Sequence, residues 1–504
     1  MRKRWFGGIL LILATGWSAL GAVIDNTWCR FESPGFELIT DLPLTEAQQL
    51  ITSLEQFRLT ADNLIASEVH ADSPIKAVVF KRRKDFTTVF DVKGFAGFMR
   101  PSLNSNTLIL GPDRRGDYLA ETAFHEYTHH LLRSQGRNSY PMWFEEGFAS
   151  FMASLKQDFD GWRIGNMVSY RNPHSQNVVN QNNVNQQLIF ESSHLKDRPE
   201  LSLEEILSAK SLQNWPTAEL VLFYERSWLL VHMLKLGHEV GLSDRRSQIA
   251  DYLDLIDQGT TWQQAFKRTF DVSVSELERQ LNRYSRRLML PTEKITGVIN
   301  HLDDSSPTGC MSRSEIALEL GLASVHFNQD YASELLSVAF EIDNQESQAL
   351  VGLSMANKYQ GDFDTALMEA KRAVMLDKKS VRAKVQLANV LLDSCSQGQS
   401  SCDAHVKAAR DLYIQSVELD GSRVDAVFGL GISYFFLGEH QAAIQQLQKA
   451  FAKAPWAPRI NLFLGEAYRL TGKNEKAKEH LTKALRWEAE PEWRDKAQQA
   501  LALL

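Results

Sequence analysis

The C-terminal part of this 504-residue chain repeats itself, and an internal repeat constrains a fold more tightly than any composition can. Leu430-Gly431-x-x-Tyr434 recurs as Leu464-Gly465-x-x-Tyr468, a shift of 34 residues. The same shift carries Ala443 to Ala477, Leu447 to Leu481 and Ala450 to Ala484. Pro455 closes the earlier unit, and Pro491 falls near the end of the later one. Each unit reads as two helices that approach closely only where Gly or Ala removes bulk. Such units bury their apolar faces against their neighbours, so they stack into an all-α solenoid.

An earlier unit, residues 345–378, sets Leu353, Ala366 and Ala373 in the same frame once an insertion of about nine residues is allowed. The polar segment Asp393 to Asp403 supplies it. A degenerate first unit spans 312–344 and keeps Ala332 and Ala339. The period, the Leu-Gly-x-x-Tyr signature, the mid-unit alanines and the closing proline resemble the tetratricopeptide repeat over residues 312–504, ending in a capping helix. The resemblance implies a concave surface on which a protein partner or substrate docks.

Ahead of the repeats, 44% hydrophobic residues over the whole chain are enough for real cores and exclude a disordered chain. The formal charge of −7 argues against a nucleic-acid partner. Arg2, Lys3 and Arg4, the apolar run Gly8 to Trp17 and the small residues Ala19, Gly21 and Ala22 read as a signal peptide over 1–22. The protein is then exported, periplasmic or secreted, with no stable membrane span once the signal is cut. A retained anchor is the alternative. Export permits disulfides. Of the four cysteines, Cys395 and Cys402 could close a small loop, leaving Cys29 and Cys310 to pair across a long span or stay free.

Residues 23–305 form the other half, with a mixed α/β part to residue 116 and a mainly helical part beyond. Thr45 to Ala66 reads as an amphipathic helix capped by Thr45. Ile75 to Lys81, Gly94 to Met99 and Thr107 to Leu110 read as strands, and from Asp117 the pattern stays helical. The Asn/Gln-rich stretch 172–187 reads as a solvated connection, and Ser305 to Gly309 as the linker between halves.

The chemistry sits in Phe124-His125-Glu126-Tyr127-Thr128-His129. Histidines four apart share one helix face, so both imidazoles can hold one zinc ion. Glu126 then stands beside the metal as general base for a water. A catalytic zinc needs a third protein ligand and an open position. Gly136 and Asn138 suit a turn and Pro141 the start of a second helix, whose Glu145 or Glu146 could return to the histidines.

These residues resemble the gluzincin metallopeptidases, with a His-Glu-x-x-His helix followed by a Glu-Gly-x-Ala helix. The resemblance implies an α+β thermolysin-like metallopeptidase domain, a zinc cofactor, and ligands His125, His129 and Glu146. Neighbouring positions lie about 100° apart on a helix, so Glu145 and Glu146 do not both reach the metal. Phe223-Tyr224-Glu225-Arg226-Ser227 resembles the Tyr-Glu-Lys-Gly helix of the gluzincin aminopeptidases, which makes Tyr224 the implied oxyanion donor, with Ser227 where that family has Gly. The Gly-Ala-Met-Glu-Asn segment that anchors a free amino terminus there is missing. Gly94 to Pro101 stands in its place as a substrate-binding edge strand, so an endopeptidase is expected over an aminopeptidase. The other reading is a repeat-based adaptor whose peptidase-like half is catalytically silent.

Overall fold

The computed structural model describes residues 23–65, 74–92, 96–104, 106–112, 119–134, 140–158, 161–166, 201–212, 215–295, 307–395, 402–487 and 490–504. The expected signal peptide and the 172–187 connection lie outside them. Twenty α-helices and nine strands are formed among the described residues, with the larger sheet in the N-terminal half. No helix among them is long and apolar enough to cross a membrane.

β1 (Cys29–Glu32) and β2 (Phe36–Thr40) pair antiparallel, and helix α1 (Leu44–Ile65) leads to β3 (Ile75–Val79), which runs parallel to β2. Helix α2 (Arg83–Phe90) precedes β4 (Gly97–Arg100), which pairs antiparallel with β5 (Thr107–Leu110). β5 runs parallel to β3, and the sheet order is β4-β5-β3-β2-β1-β9. Its central strands β3 and β5 are buried on both faces over residues 77–79 and 108–110, where the residues are Ala, Val, Leu and Ile. Leu38, Ala77, Val79, Leu108 and Leu110 join the core that holds α1 and the helices beyond. The alternate residues Ile39, Val78 and Ile109 point the other way.

Three sequence expectations need correction. The first long helix begins at Leu44, so Thr45 lies inside its first turn and does not cap it. The chain after Asp117 is not helical throughout: β6 (Lys156–Asp158), β7 (Gly161–Ile164) and β8 (Glu293–Ile295) make a second, three-stranded sheet. Strands this short and polar carry no usable period of two. The expected linker is a strand from Pro307 onward: β9 (Pro307–Cys310) pairs antiparallel with β1. Cys29 is bonded to Cys310, 281 residues away, while Cys395 and Cys402 are unbonded.

Beyond β9 the helices come in pairs. They are α10 (Arg313–Ser324) with α11 (Gln329–Ile342), α12 (Ser347–Tyr359) with α13 (Phe363–Leu376), and α14 (Val381–Cys395) with α15 (Cys402–Leu419). Then follow α16 (Val424–Phe436) with α17 (His440–Lys453), α18 (Pro458–Leu470) with α19 (Asn474–Trp487), and the last helix α20 (Pro491–Ala502). The repeated glycines act as the spacing implies. A Cβ on Gly431 would fall 2.8 Å from Leu447 Cγ, and one on Gly465 would fall 2.7 Å from Leu481 Cγ. The pattern reaches back to the degenerate first unit, where Gly321 faces Leu336 at 2.6 Å.

The two halves share a core. Trp28, Phe80, Phe86 and Phe90 pack with Ile316, Leu320 and Leu335 of the first helix pair. Glu319 receives both Arg30 at 3.1 Å and Lys76 at 2.7 Å. Farther along, the Asp425 backbone N–H donates to Asn104 Oδ1 at 3.3 Å, beside the loop between β4 and β5.

Candidate metal centre

The His125 helix is α3 (Leu119–Ser134), and its apolar side fixes its rotation. Phe124 stacks on Phe57 of α1 at 4.2 Å between ring centroids, and Tyr127, Leu131 and Leu132 enter the same core. β4 lies alongside: a Cβ on Gly97 would meet Thr122 Cγ2 at 3.0 Å. Pro141 starts α4 (Met142–Ala153), its carbonyl accepting from the N–H groups of Phe144 and Glu145. Helix α4 packs on α3 and on α6 (Thr217–Leu236), and a buried aromatic face of Trp143, Phe144, Phe148 and Phe151 holds it in place.

This packing brings His125, His129 and Glu146 together. His125 Nε2 and His129 Nε2 are 3.1 Å apart, and Glu146 Oε2 lies 3.5 Å from the first and 3.6 Å from the second. Among the described residues they form a group that could hold a metal ion. Donors bound at about 2.0–2.1 Å to a tetrahedral ion stand about 3.4 Å apart, so the triangle is already of the right size for zinc. Two imidazoles and a carboxylate are also a donor set that zinc accepts. Glu126 is the next residue along α3 and is half-buried, not packed into the core.

Electrostatics tie the group together. Burial works to lower the His129 pKa, but the Glu146 charge and the close approach of both glutamate carboxylates outweigh it and raise it to about 10. Burial likewise works to raise the Glu146 carboxyl, and the two histidines overcome it, holding it well below the usual carboxylate range. A site that gathers positive charge in this way is suited to a cation.

Sequence reasoning did not assign Glu145 a part. Its Oε1 stands 3.3 Å from His129 Nδ1, on the ring side turned away from Glu146, and Arg133 reaches it at 3.4 Å. With a metal on Nε2, the Nδ1 proton of His129 would face this carboxylate. The only signal in the sequence is the Glu-Glu doublet itself. His130 turns from the group: its Nδ1 is 3.3 Å from Asn106 Nδ2, and burial, helped by Arg133, lowers its pKa to about 4.

Tyr224 sits half-buried on α6, packed against the core and edge-on to Phe223. It lies one turn before Ser227, where α6 crosses α4 at Gly147. His232, farther along α6, is a buried strut. Its Nε2–H donates to the Gly165 carbonyl at 2.9 Å, and its Nδ1 accepts from the Tyr284 hydroxyl at 2.8 Å. Burial lowers its pKa from 6.5 to about 4. Between these values the unfolded chain binds a proton that the folded one refuses, so stability present above pH 6.5 is lost as pH falls toward 4, by about 3 kcal/mol. His232→Gln should therefore flatten the acid limb of a stability–pH profile measured by urea unfolding. An unchanged limb would mean that His232 is charged in the fold.

The tetratricopeptide repeat family matches residues 437–502. No curated protein sequence matches the chain. Among solved structures, a thermophilic TPR protein of Thermus thermophilus aligns at 21% identity and TM-score 0.34, over 38% of this chain and 99% of its own. MamA aligns at 23% identity and TM-score 0.28, over 37% of this chain and 94% of its own. YrrB, described as a TPR protein with an unusual peptide-binding site, aligns at 19% identity and TM-score 0.28, over 37% of this chain and 92% of its own. The family match and these three structures all concern the repeats.

Proposed function

We propose that the chain is an exported zinc-dependent peptidase of gluzincin type, with a thermolysin-like first half and a repeat array that recruits a protein substrate or partner. The carrying observation is the convergence of His125 Nε2, His129 Nε2 and Glu146 Oε2 from two helices at 3.1–3.6 Å. When bound there, zinc would lower the pKa of a coordinated water and polarise a carbonyl oxygen. Glu126 accepts the attacking water's proton and passes it to the leaving amine nitrogen. Tyr224 donates its hydroxyl proton in a hydrogen bond to the developing oxyanion. Glu145, 3.3 Å from His129 Nδ1, would take the proton on that side of the ring once a metal is bound. β4 ends the sheet, so its outer edge can take an extended substrate through main-chain hydrogen bonds, which favours internal cleavage over removal of a free amino-terminal residue.

The test is zinc content and cleavage of a denatured protein mixture, for the wild type and for Glu126→Gln. Zinc in both with cleavage by the wild type alone is the expected result. Zinc in neither overturns the reading. An adaptor with a silent metal site is the second reading, favoured by the family match at 437–502, and it predicts zinc without cleavage.

Glu145→Gln should weaken zinc binding about 10- to 100-fold, as loss of a carboxylate behind a histidine ligand does. Competition against a chelating dye measures this, and unchanged affinity would remove Glu145 from the site.

A further inference from the structure

Three helix hairpins of the array turn in the same way. Between α12 and α13, α16 and α17, and α18 and α19 the connection is three residues long. Each holds a glycine with positive φ: Gly361 at 84°, Gly438 at 76° and Gly472 at 74°. Glycine takes that backbone without the clash a Cβ would bring. The hairpin of α14 and α15 is joined by a longer connection. Six residues, 396–401, separate its helices, and a cysteine stands at each end: Cys395 closes α14 and Cys402 opens α15.

The two helices are aligned without any covalent link. Val385, Ala388 and Leu391 of α14 share a core with Ala409 and Tyr413 of α15. The Tyr413 hydroxyl donates to Asn389 Oδ1 at 2.6 Å, and next to the cysteines Ser394 Oγ lies 3.1 Å from His405 Nδ1. This packing sets the Cys395 thiol against the backbone of Cys402: it donates to the Cys402 carbonyl oxygen at 3.3 Å, with both cysteines half-buried. A sulfur already touching the other cysteine's backbone needs side-chain rotation, not helix movement, to meet the second sulfur. Burial, aided by a hydrogen bond with the Cys402 thiol, raises the Cys395 pKa to about 12.

We propose that Cys395 and Cys402 are a redox pair that closes a second disulfide, bolting α14 to α15 where three other hairpins rely on a short glycine turn. The bond forms by exchange with a disulfide-bearing oxidant. The Cys402 thiolate attacks one sulfur of the oxidant and expels the other as a thiolate. Cys395, held as a thiol by its surroundings, then gives up its proton and attacks the Cys402 sulfur, expelling the second thiolate. The pair loses two electrons and two protons, and the oxidant leaves as two thiols. Closing a ring at the two helix ends removes freedom that the longer connection leaves to the unfolded chain. The pair is separate from Cys29 and Cys310, which join strands 281 residues apart, and it stands whether or not the metal centre hydrolyses peptides.

The experiment equilibrates the full chain with oxidised glutathione under native conditions and caps remaining thiols with N-ethylmaleimide. The tryptic peptide 385–407, which carries both cysteines, is then weighed. The expected product carries no maleimide and is lighter than the reduced peptide by two hydrogens. Two maleimides, or a glutathione left on either cysteine, overturns the pair. Cys395→Ser should trap glutathione on Cys402 for want of the second sulfur, and a Cys402 that takes up none overturns the exchange. Amide hydrogen exchange compares the oxidised protein with the Cys395→Ser, Cys402→Ser double variant, which keeps only the Cys29 bond. Exchange in the last turn of α14 and the first turn of α15 should be at least about threefold slower in the oxidised protein. Equal exchange overturns the bolt.

Discussion

Glu126→Gln should leave zinc bound and lower peptide cleavage by a factor of about 10²–10⁴, the usual contribution of a positioned general base. The amide has the shape of the carboxylate but cannot accept a proton from water at neutral pH. Zinc should persist because Glu126 is outside the donor triangle, which is drawn by His125, His129 and Glu146. The half-buried position of Glu126 also means that the change empties no core. Turnover of a quenched peptide substrate beside metal content by atomic absorption separates the two effects. A variant that loses zinc in step with activity would put Glu126 among the ligands. One that keeps full activity would leave the water without an identified base.

Gly147→Ala should be damaging although it adds a single methyl. A Cβ there falls inside contact distance of the Ser227 carbonyl oxygen, 2.7 Å from its carbonyl carbon and 2.9 Å from Val231 Cγ2. Two of those atoms are backbone, which cannot swing aside as the end of a side chain can. Helices α4 and α6 must therefore separate, at a cost of about 1–3 kcal/mol. Glu146 is the adjacent residue, so the separation also opens the donor triangle. Zinc affinity should fall by about tenfold or more, since ligand geometry governs the site. Thermal unfolding and dye competition measure the two losses. Lower stability with unchanged zinc affinity would show that Glu146 follows α3 and not the helix crossing.

How far the sequence could be read depended on whether a feature is local. His125, Glu126 and His129 share one helix, so spacing alone sets their geometry, and the following Glu-Gly pair has meaning as soon as a second helix is granted. Glu145 needed the actual rotation of α4 to show which ring nitrogen it faces. Tyr224 is separated from the His125 helix by a long stretch of chain, so its proposed part rests on resemblance and on the α4–α6 crossing. The repeats were legible because Gly431 and Gly465 face the same leucine in successive units. β9 was not: Ser-Ser-Pro-Thr-Gly has the composition of a loop, and pairing with β1 overrides that preference. The lone arginine at the end of β4 reads in isolation as a solvated charge. In the fold its Nε is buried without a hydrogen-bond partner among the described residues, which no local pattern shows.

The position of β9 bears on how this protein can be taken apart. A chain ended at residue 305 would lose the strand that covers β1 and the cysteine bonded to Cys29. It would also lose the helices that cover Trp28, Phe80 and Phe86. What remained would present a bare strand edge next to an uncovered aromatic face, the combination by which folded sheets recruit one another into aggregates. A cut after the first helix pair, near residue 344, would keep both seals in place. Insolubility of the shorter fragment would therefore record a severed core, and would say nothing about whether the metal centre can work without the remaining repeats.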